Sequence, residues 1–167
     1  MIFLPLFFSL QIHAFMNPKN HVESVHRLTQ LWNQKQLDPQ DISTTVQAEL
    51  IEGLKSDESD SETGVYVVIS MNHRNKLFHQ AEMPLARIPV YIKANMQMCM
   101  KMEQGLGNGQ TTELSLSNLK PLKLTTNGDG RISFVIPLSC MNLNHGSGDH
   151  VMPVLAIRHD YMKRNEW

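Results

Sequence analysis

Apolar residues recur at every second position through most of the chain beyond residue 64, and at every third or fourth position only near its start. The longest run of period two covers residues 88–102. Ile88, Val90, Ile92, Ala94, Met96, Met98, Met100 and Met102 are all apolar, while Pro89, Tyr91, Lys93, Asn95, Gln97, Cys99 and Lys101 alternate with them. Successive side chains of a strand point to opposite faces, so this is the pattern of a half-buried antiparallel strand. Fifteen residues at about 3.3 Å each would span roughly 50 Å, well beyond an ordinary strand, which predicts a bulge or bend within the segment. Further strands are predicted in VYVVISM (Val65, Val67, Ile69, Met71), TELSLSNL, PLKLTT, RISFVIPL (Ile132, Phe134, Ile136, Leu138) and HVMPVLAIRHDY. Gly-rich turns separate them at 105–110, 127–130 and 145–149. Short strands with frequent turns and no intervening helical period specify a mostly β fold, an antiparallel β-sandwich over residues 65–167.

The N-terminal third reads differently. Val22, Val25, Leu28, Leu31 and Trp32 follow Asn20 and Glu23 near helical spacing, and Ile42, Val46, Leu50 and Leu54 recur every four residues behind Asp38, Pro39 and Asp41. Asp38 suits a helix cap and Pro39 a first helical position, which together predict a helical hairpin over residues 20–55. Asp57, Glu58, Asp60 and Glu62 among Ser, Thr and Gly make 56–64 an acidic linker and the expected domain boundary. Residues 1–14, MIFLPLFFSLQIHA, form an apolar run with a small residue at its end, the pattern of a secretory signal peptide cleaved after Ala14. The run is shorter than the ~20 residues needed to span a bilayer, so stable membrane insertion is not expected.

Charge narrows the partners. Fifteen Lys and Arg against sixteen Asp and Glu give a formal net charge of -1, which supplies no global attraction to nucleic acid. A secreted, non-enzymatic module that binds a protein partner, without a cofactor, is the expectation. Cys99 and Cys140 are even in number, as an oxidising compartment permits for one disulfide. Strand phase sets them against each other, however, because Cys99 lies opposite the methionines while Cys140 is in register with Ile132 and Phe134. Pairing them requires a change of parity, for which Pro137 and a bulge are candidates; two unpaired thiols or a link to another chain are the alternatives.

Three groups of residues invite chemistry. Met96, Met98, Met100 and Met102 carry soft thioethers suited to monovalent copper. Residues two apart on a strand stand about 7 Å from each other, so the row cannot converge on one ion without a neighbouring strand, and it continues the phase of three residues that are no ligands. Core packing is therefore the preferred role and a copper site the alternative. TTNGDGRISF places Asn127, Asp129 and Gly130 as in an EF-hand loop, but Thr125 and Ile136 stand where carboxylates belong, which favours a hairpin turn. His145, Ser147, Asp149, His150 and His159 are the residue types of hydrolases and metal sites, yet Ser147 lacks a nucleophile-elbow context, so a polar loop is expected.

The segments LTTNGDGRISFVIPLSC and VLAIRHDYMKRNEW resemble the macroglobulin domains of the alpha-2-macroglobulin and complement family. The likeness rests on Thr125, Thr126, Gly130, Phe134, Ile136 and Tyr161, with ARIPVYIKA as an earlier strand, and covers residues 64–167. No Gly-Cys-Gly-Glu-Gln thioester motif occurs in the chain. What the resemblance implies is an immunoglobulin- or macroglobulin-like sandwich fold behind the helical hairpin and an extracellular protein-binding role, in a chain that could be one piece of a larger protein, without protease trapping.

Overall fold

The computed structural model describes residues 18–54, 62–74, 82–103, 111–141 and 153–162. The expected signal peptide at 1–14 and the cluster at His145, Ser147, Asp149 and His150 lie outside them. Among the described residues one helix, α1 (Pro18–Asn33), precedes nine strands: β1 (Ile42–Leu54), β2 (Glu62–Arg74), β3 (Glu82–Pro84), β4 (Pro89–Ala94), β5 (Met98–Glu103), β6 (Thr111–Leu116), β7 (Leu122–Thr125), β8 (Arg131–Pro137) and β9 (Leu155–His159). The larger sheet runs β1-β2-β8-β5-β6, with β3 also paired to β2, and the smaller runs β7-β4-β9. Every pairing is antiparallel. Val67, Ile69, Met100, Leu116, Phe134 and Ile136 of the larger sheet share one apolar core with Val90 and Ile92 of the smaller. The fold is a mostly β, two-sheet antiparallel sandwich.

Period two holds across 88–102, but the segment is two strands. β4 belongs to the smaller sheet and β5 to the larger, joined by a bend at Asn95–Gln97. Asn95 fixes that bend: its side-chain oxygen accepts from the Val154 N–H at 2.8 Å, and its own N–H donates to the Val154 carbonyl at 3.1 Å. Parity survives the crossing, because the even residues Ile88 to Ala94 and then Met98 and Met100 are all buried. The predicted bend is thus the point where the chain changes layers.

The helical hairpin at 20–55 requires correction. Its first half is α1, but residues 42–54 form β1, paired along its length with β2 from Ile42 opposite His73 to Leu54 opposite Glu62. The predicted cap is real and short-lived. Asp38 accepts from the Gln40 N–H at 3.0 Å, and only a 3-10 turn, Pro39–Asp41, follows. A spacing of four is a multiple of two, so Ile42, Val46 and Leu50 share one face of a strand as readily as one stripe of a helix. The β-branched Ile42, Thr44, Thr45, Val46 and Ile51 decide for the strand. With β1 and β2 paired, the acidic stretch 56–64 connects neighbouring strands of one sheet and does not divide domains; Glu62, Thr63 and Gly64 already belong to β2.

The helix ends in a Schellman motif. Lys35 adopts φ 57°, its N–H donates to Trp32 O at 3.0 Å, and the Gln36 N–H donates to Leu31 O at 2.9 Å. Leu28 and Trp32 then pack into the shared core.

Candidate interaction surface

The residues singled out by sequence divide into packing and surface. Met98 and Met100 are 3% and 0% exposed and belong to the core, with Met96 and Met102 packed against it. Among the described residues no three His, Cys, Asp or Glu side chains gather where a metal could sit. Cys99 and Cys140 form a disulfide with Cα atoms 5.3 Å apart, 41 residues apart in sequence. The parity conflict is resolved after Pro137, where β8 gives way to a 3-10 turn, Leu138–Cys140, that swings Cys140 towards β5.

The NGDG turn joins β7 to β8, strands of different sheets, so it is a corner between layers and not the expected hairpin. Asn127 organises it: its side-chain oxygen accepts from the N–H groups of Asp129 (3.0 Å) and Arg131 (2.9 Å). Thr126, buried beside it, accepts from the Ile88 N–H at 2.9 Å and donates to the Leu85 carbonyl at 2.7 Å. These bonds tie the corner to the 85–88 turn. Gly130, at φ 70°, is wedged there; a β-carbon would lie 2.6 Å from Met71 O and 2.9 Å from Leu85 N.

His159 is buried and packs against Trp32, ring centres 5.6 Å apart and planes tilted by 57°, joining the helix to the sandwich. Tyr161 lies against the other side of the same cluster, 4.6 Å from Trp32. Its hydroxyl accepts from the Leu37 N–H at 3.2 Å and stands 3.3 Å from Trp32 O and 3.5 Å from Leu31 O, at the carbonyl end of the helix, as a further partner beside the Schellman bonds. Lys35 closes the group, 4.9 Å above the Tyr161 ring and 3.4 Å from Asp160. No contact of this kind was legible from residue spacing, since its members stand some 125 positions apart.

What remains open is an edge. β1 is a terminal strand of the larger sheet, and among the described residues nothing pairs with its outer side. Ile42, Thr44, Val46, Ala48 and Leu50 share the face of Val67 and Ile69; Ile42 packs against the core, but from Thr44 to Leu50 the row is exposed, Val46 by 50% and Leu50 by 61%. The opposite face presents Thr45, Gln47, Tyr66, Ser70, Asn72 and Arg131 around a shallow cleft of about 600 Å³. The other terminal strands contrast with β1. β6 has six residues, β7 has four with Lys123 and β9 five with Arg158, short as blunted edges are, the last two also basic. β1 runs 13 residues with no Lys, Arg or Pro, its charges being Glu49 and Glu52.

Among the described residues no helix is long and apolar enough to cross a membrane. No protein-family model, curated protein or solved structure matches this chain.

Proposed function

We propose that this chain is a secreted, non-enzymatic protein-binding module of immunoglobulin or macroglobulin type, and that it takes its partner along the β1 edge. The observation that carries the reading is β1 itself: thirteen residues of edge strand, without the basic residues, proline or brevity that keep other edges from pairing. Unpaired backbone donors and acceptors give such an edge affinity for an added strand, and exposed side chains on alternate positions give it selectivity. Val46 and Leu50 supply the apolar contacts on one face, and the cleft beside Tyr66 supplies polar ones on the other. The Cys99–Cys140 disulfide and the apolar leader at 1–14 support an extracellular setting.

The oxidised protein, immobilised and exposed to extracellular fluid, should retain a discrete protein that Val46→Lys and Leu50→Lys variants of equal stability release. Equal retention by those variants would remove β1 from the account.

A further inference from the structure

We propose that the strand which adds to β1 is β1 of a second copy, antiparallel about a two-fold axis at Ala48, joining two larger sheets into one. The inference rests on β1 being the docking edge, and three features select a second copy as the occupant.

Ala48 is the midpoint of Ile42–Leu54, so an axis there brings the whole of each strand into register. In that register Val46 stands directly opposite Leu50 of the second copy, twice by symmetry, and the side chains left half exposed in the single copy cover one another. Charge agrees with shape. Glu49 faces Gln47, whose amide can donate to the carboxylate, and Glu52 faces Thr44, so no carboxylate stands directly opposite another.

Neighbouring registers lose these features. An axis at Glu49 sets two carboxylates opposite each other, which is destabilising. An axis at Gln47 sets Leu50 against Thr44 and Val46 against Ala48, leaving both apolar pairs unmade. The pairing of β1 with β2 is regular from Ile42 to Ile51 and shifts between Ile51 and Leu54. The firm part of the joint is therefore 45–51, centred on the same axis.

Sedimentation of the oxidised protein over a hundredfold concentration range tests this, with Val46→Lys and Leu50→Lys as edge variants and Ala48→Cys as a register probe. A reversible dimer is expected, weakened at least tenfold in either lysine variant, with Ala48→Cys cross-linking to its copy under oxidation and Gln47→Cys, displaced from its own copy by two positions, failing to do so. Three outcomes overturn the proposal: a monomer throughout the range, a dimer indifferent to both lysines, or a dimer in which Gln47→Cys cross-links and Ala48→Cys does not. A monomer whose capture of a different protein still depends on Val46 and Leu50 would overturn self-pairing while leaving β1 as the docking edge. Capture indifferent to those residues would remove the edge reading as well.

Discussion

Gly130 stands where three backbone segments converge, with β2 on one side and the 84–85 turn on the other, at a φ of 70° that side chains rarely adopt. Both near atoms are main chain and cannot swing aside. Gly130→Ala should therefore lower stability by at least about 1–3 kcal/mol, the usual cost of a forced left-handed residue, with steric displacement added. Gly128→Ala, where a β-carbon meets nothing within 4 Å, should be close to neutral, and urea midpoints of the two variants give the comparison. Thr126→Val keeps the shape and removes the hydroxyl, leaving the buried Leu85 carbonyl without that donor and the Ile88 N–H without that acceptor. A loss of about 1–3 kcal/mol is expected, and a change under a few tenths would show that water replaces the bonds. Met98→Leu and Met100→Leu nearly conserve volume in the core; each should shift stability by less than about 1.5 kcal/mol and leave copper titrations unaltered.

At the scale of elements, legibility followed the period. The strands β2, β4, β5 and β8 were plain because burial on one face imposes strict alternation, and even the break between β4 and β5 was implied by a run too long for one strand. The four-residue recurrence of Ile42, Val46, Leu50 and Leu54 mimics a helical stripe in β1, because most positions from Thr44 to Leu50 are exposed at the edge and strict alternation is not imposed on them. The corner at 127–130 was recognised as a turn, but its crossing between sheets depends on pairings far away in sequence. Neither the Trp32–Tyr161 cluster nor its role as the end cap of α1 leaves a local trace. Trp32→Ala should cost about 3–5 kcal/mol by emptying that contact. Tyr161→Phe should cost less, near 1 kcal/mol, since the ring stays and only the hydroxyl's bonds go. If Tyr161→Phe matched Trp32→Ala in a thermal melt, the hydroxyl and not the ring packing would be holding the helix.

For the whole molecule, the disulfide closes a 41-residue loop that contains β6, β7 and β8, which the chain-entropy argument values at about 4 kcal/mol. Reduction, or Cys99→Ser with Cys140→Ser, should lower the unfolding free energy by about that much. The fold should survive it, since both sheets share one apolar core. The candidate surface was not legible as a surface at all. The apolar positions Val46 and Leu50 look alike in sequence whether covered or open, and only what the fold lays over them decides which they are.

Amide hydrogen exchange along residues 44–50 addresses the β1 edge most directly. Alternate amides of an edge strand point towards β2 and away from it, so the dilute protein should show slow and fast exchange in alternation, and the fast set should become protected when the partner strand is present. Uniform exchange along the segment, or fast amides that stay fast in a saturated complex, would contradict the account.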